Sequence, residues 1–242
     1  MDLKEIDVLG SDINAHWYYK SKATAATRFL KNAPLRILDV GAGSGFFSRY
    51  LLRNTAAHNA CCVDINYQTQ WEELEGSKSI VFRKQIEASD ANLVLIMDVL
   101  EHVEDDVGLL KLYAEKVSIG TDFLISVPAF DFLWSSHDEF LEHHRRYTIR
   151  EVESLVQKSG LEVVQSSYYF GCVFPIAATL RLLERFKILP KKTGSQLVKH
   201  SFLVNSLLNF LCKIEMPFIK LNRTAGLTVF CLATKKHTIN LW

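Results

Sequence analysis

The residues best suited to chemistry begin at Asp39-Val40-Gly41-Ala42-Gly43-Ser44-Gly45, where three glycines alternate behind an acid. Between an apolar segment and an amphipathic one, such a run lets backbone approach a ligand closely and aims helix N-terminal amides at an anion. Glycine alternation also fits dinucleotide binding, but that fingerprint, G-x-G-x-x-G, sets its third glycine one residue later. Asp64 follows the loop by roughly 20 residues, where an acid can accept both hydroxyls of a ribose. Its position supports a nucleoside ligand without separating one nucleoside cofactor from another. Asp98, Glu101 and His102 form D-x-x-E-H, two carboxylates and an imidazole that suit a divalent metal. The alternative is that Glu101 and His102 cap and orient the next helix. Finally, the run from Trp134 to Thr148 concentrates His137, Asp138, His143, His144, Arg145, Arg146 and Tyr147. The histidines offer bases and the arginines a clamp for carboxylate or phosphate, unless these groups pin the loop to the body of the protein.

Short apolar runs alternating with amphipathic ones must position these groups. Residues 14–32 read as a helix that ends before Pro34. Strands are expected over 35–40, 60–64, 79–82, 92–97, 122–127 and 161–164, with a returning strand over 226–234. Helices are expected over 46–54, 103–118 and 148–159, with a polar helical piece through Trp71-Glu72-Glu73-Leu74. The run 92–97 is almost wholly apolar, as a central parallel strand covered on both faces should be. The pattern implies an α/β protein with a doubly wound, mostly parallel, seven-stranded sheet and a ligand site at the carboxyl ends of its strands. Two stretches exceed that minimum. Residues 128–147 form a long connection of the kind usually given to function. Residues 171–226 hold two apolar, basic helical patterns separated by Pro190-Lys191-Lys192-Thr193-Gly194: one aligns Ile176, Leu180 and Leu183, the other Val204, Leu207, Leu208, Leu211, Ile214 and Phe218.

With the glycine spacing G-x-G-x-G two residues after Asp39, the sequence resembles the class I S-adenosylmethionine-dependent methyltransferases. Their first motif is an apolar strand followed by Asp/Glu-x-Gly-x-Gly-x-Gly. Asp64 and the Leu95-to-Val103 segment match later motifs in order, so the resemblance spans residues 36–127. It implies the Rossmann-like methyltransferase fold, S-adenosylmethionine as cofactor, and a cofactor site of Asp39, Gly41, Ala42, Gly43, Gly45, Asp64, Ile65, Asp98, Val99 and Leu100. Gln85 is the best candidate for reading adenine, because the expected polar pair after the third strand is replaced by Phe82-Arg83-Lys84-Gln85. D-x-x-E-H resembles the E-x-x-E-H of ubiquinone-type O-methyltransferases, some of which bind a divalent cation there, but the expectation is no metal. The 134–148 loop resembles one found after the fifth strand in a bacterial subgroup. It suggests His137 with Asp138 as the catalytic base, His143 and His144 as substitutes, and Trp134, Arg145, Arg146 and Tyr147 toward the acceptor. Trp17 and Tyr18 resemble an aromatic start that covers the cofactor; a plain apolar anchor for the first helix fits equally.

Composition limits the partners. The 242 residues are 48% hydrophobic and 23% charged, enough to bury a full core, and no apolar run spans a bilayer. We expect a single unit: a helical cover over 1–34, a cofactor-binding core over 35–170, a helical insertion over 171–226, and a last strand and tail over 227–242. The acidic N-terminus is unlike a signal peptide, so the expected location is the cytoplasm, with the inner membrane face as an alternative. Five scattered cysteines without C-x-x-C read as buried reduced thiols. Residues 1–170 carry 17 Lys and Arg against 25 Asp and Glu, whereas 171–226 carry 9 against 2. This acidic front disfavours a nucleic-acid partner. The basic, apolar insertion suggests a hydrophobic or lipid-attached small acceptor, methylated at oxygen, with peripheral membrane contact or a homodimer interface as its other uses. A nucleic-acid or protein methyltransferase, or a non-catalytic S-adenosylmethionine-binding subunit, are the alternatives.

Overall fold

The computed structural model describes residues 16–188 and 201–236. Its elements are α1 (Trp17–Phe29), β1 (Leu35–Val40), α2 (Phe46–Asn54), β2 (Ala57–Val63), β3 (Trp71–Glu75), β4 (Lys78–Arg83), β5 (Leu93–Met97), α3 (Asp106–Glu115) and β6 (Asp122–Pro128). Then come α4 (Ser136–Phe140), α5 (Ile149–Lys158), β7 (Glu162–Tyr169), α6 (Phe174–Arg185), α7 (Phe202–Glu215) and β8 (Thr228–Thr234). All eight strands form one sheet in the order β3-β4-β2-β1-β5-β6-β8-β7. Strand β8 runs antiparallel between β6 and β7, and β3 runs antiparallel at the far edge. The remaining strands share one direction, so their carboxyl ends meet along one edge.

Alternation along the strands divides the core into two layers. In β5, Leu93, Leu95 and Met97 join a cluster with α1, α2 and the end of α7, while Val94 and Ile96 join one with α3 and α5. A strand buried on both faces must be apolar at every position, and all five residues of β5 are buried. Chain order reverses between β1 and β5, which leaves a crevice where the loops after β1 and β5 diverge.

The sheet has eight strands and not seven, because Trp71 to Leu74 is strand and not helix. Trp71 lies opposite Phe82 and stacks on it with ring centroids 4.2 Å apart. Gly76, at φ +66°, turns the hairpin between Glu75 and Lys78. The acids that read as a polar helix instead meet Arg49, Arg53 and Arg83 across the edge. Strand β7 runs on to Tyr169, five residues past the expected end, by pairing with β8. Helix α3 starts at Asp106, after the short helical turn Leu100–His102, and the Asp105 carboxylate accepts a hydrogen bond from the Gly108 amide. Cys172 is exposed and Cys61 half-buried, so the expectation of buried thiols holds for Cys62, Cys212 and Cys231. The loop Pro190 to Gly194 lies outside the described residues.

Candidate functional site

The glycine loop takes its shape from backbone that only glycine adopts readily. Gly41, Gly43 and Gly45 have φ of +64°, +55° and +70°. A Cβ on Gly41 would come within 2.6 Å of Val99 Cγ2, so the loops after β1 and β5 touch only because residue 41 has no side chain. The amides of Gly41 and Ala42 donate to the Val63 carbonyl. The Gly43 amide donates to Asp64 Oδ2 at 3.0 Å, and the Tyr67 hydroxyl donates to the Gly43 carbonyl at 2.5 Å. Asp64, whose other oxygen accepts from the Asn66 amide, thus helps to build the loop, and Tyr67 is a second brace. Asp39 lies beneath the loop, buried, and accepts from the Ser48 hydroxyl at 2.7 Å. Burial pushes its carboxyl up to about 6, against the opposing hydrogen bond from Ser48. Ala42 and Leu100 are buried and Val99 half-buried, while Ile65 stands 76% exposed beside Asp64 and Gln85 is also exposed.

At the end of β5, Asp98 has φ +55°, uncommon for a residue with a side chain. Its two carboxylate oxygens accept from the ammonium of Lys22, which comes from α1 and is fully buried. Burial alone would draw that ammonium's pKa down; the Asp98 charge and the Tyr18 hydroxyl beside it raise it instead. Lys22 also donates to Tyr18 Oη at 3.2 Å, and the Tyr18 ring stacks on Phe170, with Trp17 edge-on to the same ring. Phe130 and Phe170 share the positive φ of Asp98, and all three follow strands that end on the crevice edge. Strained residues gathered at one edge fit a site that needs them there. Lys22, Tyr67, Phe130 and Phe170 were not read from the sequence. The trace of Lys22 was a lysine in the stripe Tyr19, Lys22, Ala26, Phe29, all four buried, where an unpaired charge would be costly.

The 128–147 connection straps itself to residues 100–106. Arg145 donates to Asp106 Oδ2 at 3.1 Å and to the Glu104 carbonyl at 2.9 Å. Arg146 forks onto Asp138 at 2.7 and 3.0 Å and also reaches the Ala129 carbonyl. The Tyr147 hydroxyl bonds Asp106 and the Leu100 carbonyl. Both guanidinium groups expected to clamp an acceptor are therefore held by the chain's own carboxylates. His137 precedes Asp138 on α4, where neighbours point about 100° apart. Asp138 instead meets His143 Nδ1 at 3.0 Å and accepts from the Ser135 amide and hydroxyl. Trp134 and His137 are half-buried on this strap, and His144 is exposed with its amide on the Glu101 carbonyl.

Beneath the strap, Glu101, His102 and His143 bring one ligand atom each within 4.8 Å of one another. The two imidazoles meet edge to face at 4.6 Å. Glu101 is 1% exposed, and its Oε2 has no hydrogen-bond partner. Burial, and then the Asp98 charge, hold its carboxyl well above the usual range.

Asp138 makes a testable acid dependence. Burial would raise its carboxyl, but the hydrogen bond from His143 and the Arg146 charge outweigh that and hold it well below the usual range. Its contribution is therefore present above the unfolded value near 4 and declines as pH falls below about 4. Asp138→Asn should cost about 3–5 kcal/mol at pH 7, by stranding Arg146, and should flatten the loss of stability between about pH 4 and 2. Urea unfolding across that range measures both; wild-type slopes in the variant would contradict the assignment.

Residues 15–166 match the family described as a methyltransferase domain. No curated protein sequence matches the chain. Among solved structures, the complex between the Haloferax volcanii Trm112 methyltransferase activator and a methyltransferase aligns at TM-score 0.59 and 14% identity, covering 98% of each chain. A SAM-dependent methyltransferase from Thermotoga maritima aligns at TM-score 0.56 and 15% identity, over 97% of each chain. Phosphoethanolamine N-methyltransferase 2 from Haemonchus contortus, in complex with S-adenosyl-L-methionine, aligns at 0.55 and 13%, over 98% of this chain and 60% of that one. At these identities the likeness is one of fold. The family match covers well over half of the chain, which therefore belongs to the methyltransferase-domain family.

Proposed function

We propose that the chain transfers the S-adenosylmethionine methyl group to oxygen on a small hydrophobic or lipid-attached acceptor. One observation supports the donor half above all: the left-handed glycine loop, Asp64 and Asp98 converge on the β1/β5 crevice, with residue 41 too close to Val99 for any side chain. Asp64 receives the ribose hydroxyls, exposed Ile65 offers an apolar face to adenine with Gln85 at its edge, and Asp98 faces the amino-acid end. The cofactor supplies a methyl on a sulfonium. Transfer is an in-line displacement, so the protein's main work is to hold two substrates in line. A hydroxyl acceptor must also lose a proton. His143 is better placed for that than His137, because Asp138 at Nδ1 fixes its ring and the same imidazole lies beside Glu101 and His102. Trp17, Tyr18 and Trp134 form apolar cover, while Arg145, Arg146 and Tyr147 hold the strap in place.

Substitution Asp64→Ala should weaken S-adenosylhomocysteine binding by more than about tenfold, roughly 1.4 kcal/mol or more, in calorimetry. Unchanged affinity would remove Asp64 from the site.

The cluster of Glu101, His102 and His143 favours a second reading in which these residues hold a divalent cation, with Asp138 orienting His143 from behind. A cation there would activate the acceptor oxygen in place of a base. Its binding would displace the proton that burial keeps on Glu101, so affinity should rise with pH. Titration with Mn(II), read by electron paramagnetic resonance, should show one site that Glu101→Gln abolishes. If millimolar Mn(II) leaves the spectrum that of the free ion, the proton-transfer reading stands alone.

A further inference from the structure

We propose that the outer face of α6 and α7 docks on an anionic lipid bilayer. Helix α7 packs a mixed polar and apolar side inward and turns an apolar side outward. Its inner side buries Cys212 and Glu215 and turns Asn205 and Asn209 toward α1. Its outer side lines up Leu203, Leu207, Phe210 and Ile214 at i, i+4, i+7 and i+11, each more than half exposed. Helix α6 has no buried residue, and Phe186 and Ile188 just beyond its end are 71% and 66% exposed. Among the described residues, twelve of the eighteen exposed large apolar side chains fall between Ile176 and Leu221. A surface this apolar is not left to water at no cost; it marks a place where something else sits.

Charge selects the occupant. Arg185 and Lys213 are exposed on these helices, and Lys187 and Lys220 are exposed just beyond their ends. The acids there are engaged elsewhere: Glu184 pairs with Arg181 at 2.8 Å, and buried Glu215 accepts from the Gly171 and Cys172 amides. A second copy would bring like charges together, whereas an anionic bilayer supplies the opposite sign to the basic residues and hydrocarbon to the stripe. No helix among the described residues is long and apolar enough to cross a membrane, so the stripe would lie along the surface. The docked face is one helix from the crevice. Asn205 accepts from the Trp17 amide at 2.9 Å, Asn209 from the Ser21 hydroxyl at 3.4 Å, and α1 then carries Lys22 to Asp98. Delivery of a lipid-attached acceptor along this route rests on the methyl-transfer reading above; docking itself does not.

Cosedimentation of the full chain with vesicles tests the proposal. Binding is expected to vesicles of phosphatidylcholine mixed with phosphatidylglycerol, to be much weaker on phosphatidylcholine alone, and to fall with added salt. Phe210→Glu and Leu207→Glu should each reduce it by roughly tenfold or more, and Lys213→Glu by less, with S-adenosylhomocysteine affinity unchanged. Phe210 and Leu207 are exposed, so circular dichroism should match wild type; if either variant misfolds, Lys213→Glu and the salt series still decide. Failure to bind either vesicle, or equal binding to both, would overturn the proposal. So would a dimer in light scattering that Phe210→Glu dissociates, since a second copy would then cover the face. If wild type bound vesicles but not S-adenosylhomocysteine, the methyl-transfer reading would fail while docking stood.

Discussion

The ion pair between Lys22 and Asp98 is the contact on which the arrangement of the crevice depends. A fully buried ammonium is tolerable only against a carboxylate, and a residue with φ +55° must be held there by its surroundings. The pair does both, and it joins two parts of the chain 76 residues apart. Through it the N-terminal helix becomes a wall of the crevice. The same helix is clamped from behind by α7, through Asn205 and Asn209, so cover, core and late helices share one contact chain. Deleting either partner alone would leave a buried charge uncompensated, at about 3–5 kcal/mol.

Electrostatics on the other side of the crevice follow the same rule. The 128–147 connection carries enough charge to look like a binding surface, yet its cations are matched internally: Arg146 with Asp138, Arg145 with Asp106. What the strap delivers is His143, oriented from behind by Asp138 and set against His102 and the unpartnered oxygen of Glu101. A buried carboxyl with an orphaned oxygen calls for a retained proton, a bound cation or an ordered water, and the proposed function uses the first two.

Much of this architecture was legible in the sequence, for identifiable reasons. Strand β1, the glycine loop and α2 were readable because an apolar run, obligate glycines and a helical stripe follow one another without interruption. The motif acids were readable because each ends a strand. Strand β3 was not, since Glu72, Glu73 and Glu75 mask it; the two-residue Gly76-Ser77 link before an apolar strand was the overlooked sign of a hairpin. The roles of Lys22, Arg145 and Arg146 were hidden for a different reason. Residue type reveals that a charge exists, but its partner is set by tertiary contacts 76, 39 and 8 residues away. The apolar pattern along α7 was visible through Val204, Leu207, Leu208, Leu211 and Ile214, but only tertiary packing divides it, with Leu208 against the core and Leu207 and Ile214 on the outer stripe.

The central claim is that a methyl donor lies between the glycine loop and Asp98, under the helix that carries Lys22. A crystal structure with S-adenosylhomocysteine tests it most directly. The expected result has the ribose hydroxyls on the Asp64 carboxylate, the backbone of Gly41 to Gly45 against the ligand, and its amino-acid end beside Asp98 and Lys22. A nucleoside bound away from Asp64, or an Asp98 untouched by the ligand, would contradict it.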